Sequence, residues 1–334
     1  LTNKKMKFGI QFFAGTASMI TRENLSGLIP EPVTRGIIQG AIQRSAVLSM
    51  GRRLPNMTSK TQHMNVLDAL PVAYWVNGDT GFKNTTNIAW DKKRIVAEEI
   101  AVIVPIPEAV LDDSDYDIWG ESRPLLEQAF GKRIDETIIF GVDKPASFRK
   151  SLYETAEEVG NIVAATGDTF TDIMGEDGVI AKVEESGFLP TGAMAAVRMK
   201  AKLRGLTDTT GQPIFKSDMQ SPTRYSLDGF QLDFPMNGAF DFEKALMIVG
   251  DFSQLVYAVR QDIEFKIFDQ GVVQDPNTKE IVYNLMQNDM VALRAVMRLG
   301  WEIPNPINAF QPDESKRSPF AVYAPAESGA SVNP

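Results

Sequence analysis

A chain of 334 residues with 43% hydrophobic and 23% charged side chains can bury a sizeable core, as one large domain or two closely connected ones. It has no cysteine, which excludes disulfides, thiolate catalysis and cysteine zinc sites, and no apolar run near the roughly 18 residues that span a bilayer. The net charge of −9 is uneven: residues 1–60 hold nine basic side chains against Glu23 and Glu31, hence +7, which leaves −16 for the remainder. Such asymmetry lets a basic N-terminal arm lie against the acidic body of a neighbour. A nucleic-acid-binding tail is the weaker reading, because no aromatic residues interleave with the basic ones in a patch.

Residues 1–29 read as an arm with little regular structure. Glu31-Pro32 opens a predicted helix with proline in its first turn, and Val33, Ile37 and Ala41, with Ile38 and Ile42, form an apolar stripe that ends near Gly51. Residues 64–76 predict a strand. Val72, Tyr74 and Val76 alternate there with Ala73 and Trp75, as a period of two requires. It enters a polar tip, Asn77–Asn87, around a lone Phe82; an isolated two-stranded ribbon is marginal in water, so one carrying Tyr74, Trp75, Phe82 and Trp90 needs a second surface to cover it. Ile95–Ile106 predicts the return strand, stopped by Pro105 and Pro107.

After the charged turn LDDSDYD, a long helix is predicted from Asp115 or Asp117 to Phe140. Leu126, Phe130, Ile134 and Ile138 recur every fourth residue, and Gly141 supplies the stop. Helices and strands then alternate. Helices are expected over 170–185, 194–206 and 253–259; strands over 213–215, 230–236, LMIVGDF, 261–268, 279–287 and 289–301, although ALRAVMRL within the last also fits a helix; a turn at TDTTGQP. The proline-rich stretch after Phe310 reads as a tail.

Little in the chain points to catalysis. His63 is the only histidine, without a nucleophile and orienting acid at useful spacing. Asp112, Asp113, Asp115 and Asp117 lack the glycine and terminal glutamate of a calcium loop and are better read as caps of the long helix. Asp208–Gly211 has neither phosphate-loop spacing, and the adjacent pairs Glu98–Glu99 and Glu184–Glu185 do not resemble a glycosidase pair. An enzyme is not expected, nor a cofactor or metal.

Taken in order, PVAYWVNGDTGFKNTTNIAWDKKRI, IAVIVPIPEAVLDDS, IDETIIFG, MKAKLRGLTDTTGQPIF, ALMIVGDFSQLVYAVRQDIEF and NDMVALRAVMRLGWEI resemble the major capsid proteins of tailed bacteriophages, over about residues 30–312. The resemblance implies an α+β fold of discontinuous parts. These are an N-terminal arm (1–30), a peripheral domain (31–67, 97–141 with a spine helix, 281–312), an extended β-hairpin loop (68–96), an axial α/β domain (142–280) and a C-terminal tail (313–334). It also implies self-association as hexamers and pentamers into an icosahedral shell, assembled in the host cytoplasm and holding double-stranded DNA without sequence-specific contact. A scaffold protein, a portal and a decoration protein are the implied partners, with no membrane. Tyr74, Trp75, Phe82, Lys83 and Trp90 of the loop are the expected intersubunit contacts. Some relatives join a loop lysine to an asparagine of the peripheral domain, for which Lys83 and Asn305 or Asn308 are the matching positions. Encapsulin nanocompartments share the fold and are the alternative reading.

Overall fold

The computed structural model describes residues 45–75, 83, 85–114, 117–206, 225–275 and 277–326. The expected arm at 1–29, the stripe Val33–Ile42, Phe82, TDTTGQP and the strand at 213–215 lie outside the described residues.

The described chain opens with a short helix, α1 (Ala46–Met50), capped by the Ser45 hydroxyl, which accepts from Leu48 N, and stopped at Gly51. After β1 (Arg52–Arg53), β2 (Thr61–Ala69) and β3 (Ala89–Val96) form an antiparallel ribbon with a bulge between Leu67 and Ala69. The strand expected over 64–76 is therefore displaced. It starts at Thr61 and ends before Pro71, whose missing N–H cannot enter a ladder, and residues 71–75 take no regular structure. The single return strand expected over 95–106 is two. β3 ends at Val96, and after Ala97 the chain changes sheet as β4 (Glu98–Pro107). Pro105 lies inside β4 rather than ending it, which is tolerated because β4 is an edge strand.

α2 (Glu108–Asp112) precedes the long helix α3 (Ile118–Phe140), which spans about 35 Å at 1.5 Å per residue. Its stripe Leu126, Phe130, Ile134 and Ile138 is buried, and Gly141 follows in the left-handed region at φ +69°. Asp117 caps it, accepting from Gly120 N at 2.9 Å. Asp112 and Asp113 end α2 instead, so the expected row of caps reduces to one residue, with Asp115 outside the described residues. Midway along α3 the fully buried Asp135 accepts from the Ser45 hydroxyl, from Ala46 N at 2.9 Å, Val47 N at 3.3 Å and Asn237 Nδ2 at 2.6 Å. That carboxylate ties the start of α1 to the spine.

Then follow α4 (Leu152–Val159), β5 (Ile162–Ala164), α5 (Thr169–Met174), α6 (Val179–Glu185), β6 (Gly192–Ala195), α7 (Val197–Arg204), β7 (Tyr225–Leu227), β8 (Phe230–Asp233) and β9 (Met247–Gly250). The helix expected over 170–185 is broken into α5 and α6 by Gly175–Gly178, where a Cβ on Gly178 would meet Ile173 O at 2.8 Å. The helix expected over 194–206 begins as β6, its small side chains all buried in a sheet. The helix expected over 253–259 is one 3-10 turn at Phe252–Gln254, after which β-branched residues continue as β10 (Val256–Phe268). Within the expected loop DQGVVQDPNTK, β11 (Val272–Gln274) pairs with β12 (Ile281–Asn284). β13 (Met290–Glu302) is the strand the sequence predicts.

The largest correction is at the C-terminus. Phe320–Ala324 is no tail but β14, a buried strand between β5 and β9 in a six-stranded sheet of order β5-β14-β9-β6-β8-β7. A second sheet has the order β1-β10-β13-β4.

Two compact units divide the chain. Among the described residues, one comprises 45–75, 83, 85–98, 130–206, 225–261 and 298–326; a core there packs Val179, Val183, Met199 and Leu203 of α6 and α7 against β6, β8, β9 and β14. The other comprises 99–114, 117–129, 262–275 and 277–297. Within its described part, Ile106, Val110 and Ile118 make one cluster and Leu285, Met290 and Ala292 another.

Candidate assembly interface

The β2–β3 ribbon is anchored at one end and bare at the other. At its base Ile95 and Ala97 are buried with Met57, Val256 and Ala258, and Ile307 N donates to Leu67 O at 3.1 Å. Lys93 is buried too, its Nζ 2.7 Å from Glu314 Oε1 and 3.8 Å from Asp91. Nearby, buried Glu302 lies 3.6 Å from Arg149 Nε, and burial pushes its carboxyl up to about 7 although Arg149 and Lys93 pull it down. Arg317 braces the segment below, donating from Nε to Asn305 Oδ1 at 3.0 Å and from its other nitrogens to the carbonyls of Asn305 and Gln311.

Toward the tip exposure rises steeply. Trp75 is fully exposed, Trp90 is 65% exposed and Tyr74 53%, with Val72 and Ile88 beside them in sequence also exposed. Val72 N donates to Thr86 Oγ1 at 2.9 Å, which pins the two sides of the loop together without covering the rings. Lys83 is exposed; Phe82 lies outside the described residues. Of the five expected contact residues, four are thus described and all four face solvent.

Pairing register sorts the ribbon's side chains into two faces, because neighbours along a strand alternate and directly paired residues share a side. Gln62–Ile95, Met64–Lys93 and Val66–Asp91 form the face that turns into the base. His63–Arg94, Asn65–Lys92 and Leu67–Trp90 form the outward one. Of this second set sequence reasoning singled out Trp90 as a contact; the three adjacent cations Lys92, Lys93 and Arg94 carry no local signal of which one turns inward.

Trp90 on the ribbon and Tyr74 and Trp75 just beyond its end are large rings that the chain leaves in water. His63 stands exposed opposite Arg94. Among the described residues there is no group of three or more His, Cys, Asp or Glu able to hold a metal ion, and no helix is long and apolar enough to cross a membrane. The carboxamides of Asn305 and Asn308, the expected acceptors of a lysine crosslink, are held within the chain. Asn305 bonds Arg317, and Asn308 donates to Ser186 O at 2.8 Å while accepting from Phe310 N and Gln311 N.

Comparison with known proteins places these features in context. The model of the phage capsid family matches residues 26–312. The major capsid protein of Staphylococcus phage 80alpha is 24% identical over 312 residues, covering 90% of this chain and 92% of that protein. Among solved structures, a chain from Microbacterium phage Oxtober96 is 34% identical with a TM-score of 0.76, covering 92% of this chain and all of that one. A chain from Mycobacterium phage Adephagia is 30% identical with a TM-score of 0.75, covering 92% and 98%. The capsid of an empty GTA particle shares the fold at 17% identity and a TM-score of 0.59.

Proposed function

The chain belongs to the phage capsid family, and on that premise we propose that it is the major capsid protein of a tailed phage. Many copies would close, as hexamers and pentamers, into an icosahedral shell around double-stranded DNA. The observation that carries this reading is the ribbon: anchored at its base by a buried cluster, it ends in aromatic rings that its own chain leaves in water.

Tyr74, Trp75, Phe82, Lys83 and Trp90 are the residues proposed to contact a neighbouring subunit. Burying one such ring on a neighbour is worth roughly 1.5–3 kcal/mol. Weak contacts repeated around a closed shell add through effective concentration, so modest individual terms suffice. We assign residues 31–67, 97–141 with α3, and 281–312 to a peripheral domain and 142–280 to an axial one; the pairing of β14 with β5 and β9 supports adding Phe320–Ala324 to the axial sheet. A scaffold protein, a portal and a decoration protein remain proposed partners, and the virion the proposed location. The −16 of residues 61–334 suits a container that must not grip DNA phosphates tightly.

Expression of the chain, alone and with the scaffold of its phage, followed by sedimentation and electron microscopy tests the proposal. Rings, tubes or shells are expected, and a persistent monomer under all assembly conditions refutes it. DNA inside purified particles, rather than an enclosed enzyme, separates a phage capsid from an encapsulin compartment. The paired change Trp75→Ala and Trp90→Ala is expected to abolish or strongly reduce assembly while leaving the thermal unfolding of the subunit unchanged, since neither ring is buried within its own chain.

A further inference from the structure

We propose that Asn237 is a self-modification site that separates folded from unfolded chains. In an open chain its side-chain amide is lost as ammonia, and the acid left behind cannot take the amide's buried place. The residue lies between β8 and β9 in the pair Asn237-Gly238. An asparagine before glycine is the pair most prone to this loss, because glycine has no Cβ to shield its backbone nitrogen. The chain's other such pair, Asn77-Gly78, lies outside the described residues. In the reaction Gly238 N gives its proton to solvent and bonds to Asn237 Cγ. The Cγ–Nδ2 bond then breaks, and the nitrogen takes up a proton and leaves as ammonia. Water opens the resulting cyclic imide at one carbonyl to aspartate or at the other to isoaspartate, so a water is consumed for each ammonia released.

The fold blocks that reaction. Asn237 is buried; its Nδ2 donates to Asp135 Oδ2 at 2.6 Å and its Oδ1 accepts from Ala239 N at 3.1 Å. The two bonds fix the amide, so closing the ring on Gly238 N requires the site to open first. The product is excluded by charge. An aspartate at 237 sets a second carboxylate against that of Asp135, both away from water, where two such groups cannot both ionise. The donors nearby are already engaged. Lys132 Nζ lies 3.9 Å from where a Cβ on Gly238 would stand, but it pairs with Glu136 at 3.6 Å. The Ser45 hydroxyl and the N–H groups of Ala46 and Val47 donate to Asp135 itself. Because Asp135 ties α1 to α3, repulsion at 237 loosens that tie, and isoaspartate adds a main-chain carbon to a segment packed beside the spine through Phe240 and Phe140. A chain that stays open is thus retired irreversibly, while a folded one is shielded.

Ageing the full chain in mildly alkaline buffer, with and without urea, tests this. Mass spectrometry of the peptide carrying residue 237 follows the exchange of amide for acid, and dilution from urea gives the fraction that still refolds. Conversion is expected to be roughly tenfold or more slower in the folded chain than in urea, and refolding yield should fall in step with conversion. Equal conversion rates in the two states overturn the proposal. Asn237→Asp made directly is expected to refold poorly or to melt well below the natural chain; refolding and melting like the natural chain overturn it. Gly238→Ala keeps Asn237 and its two bonds but hinders the attacking nitrogen. That variant should retain its ability to refold after the same time in urea, even if its own melting point is lower, since Gly238 sits at φ +76°. If Gly238→Ala loses refolding as fast as the natural chain, the loss arises elsewhere, at Asn77 or by aggregation, and the assignment to Asn237 falls.

Discussion

Glu302 and Asp135 are carboxyl groups that burial holds protonated more readily than in water, and both make the subunit respond to pH in the same sense. Glu302 is raised from 4.5 to about 7 and Asp135 from 3.8 to about 6. A carboxyl raised in the folded state contributes stability that is complete below its unfolded value and is lost as pH rises through its folded value. The subunit is therefore expected to melt at a higher temperature as pH falls through about 7 toward 4.5, with Glu302 titrating first and Asp135 following below about 6. Glu302→Gln should flatten that part of the profile; an unchanged profile by calorimetry would show that Glu302 does not govern it. At Asp135, removal is costlier than charge. Asp135→Ala strands the Ser45 hydroxyl, two backbone N–H groups and the Asn237 amide, and should cost about 3 kcal/mol or more in urea unfolding.

At the scale of elements, β14 shows where local signals mislead. Phe320–Ala324 is a short apolar run between prolines, which is the pattern of a buried central strand, yet its place near the end of the chain makes it read as a tail. In the fold it bridges β5 and β9, and Phe320 packs edge-on against Phe252 at 5.4 Å between ring centres. Phe320→Ala should lower stability by about 3–5 kcal/mol, and only the folded subunit's denaturation curve need be measured. Gly250 in β9 faces the same ring, where a Cβ would stand 2.3 Å from Phe320 Cδ1 and 2.5 Å from Pro319 O. The long helix and β13 were legible because each repeats its pattern over more than ten residues. Short elements were not: α5, α6 and β6 depend on glycines and small side chains whose role appears only once their neighbours are present.

For the whole molecule, the ribbon links subunit to shell. Its base is protected inside one chain, so amides of residues 61–67 and 92–96 are expected to resist hydrogen exchange in the free subunit and in the shell alike. Amides of residues 85–88, which form no strand, should exchange fast in the free subunit and slow on assembly. Equal exchange in both states would remove the arm from the interface.

The spine helix and the aromatic, ribbon-like character of the arm were determined by the sequence alone. Each rests on a periodicity or composition that a stretch of chain carries without reference to any other. Only the tertiary structure decided that Ala97 passes the chain from one sheet to another and that the last apolar run completes the six-stranded sheet. It also decided that, of Lys92, Lys93 and Arg94, the middle one is buried on Glu314 while its neighbours face outward. Those outcomes depend on which distant segment supplies the hydrogen bonds or the countercharge, and no local pattern encodes that choice.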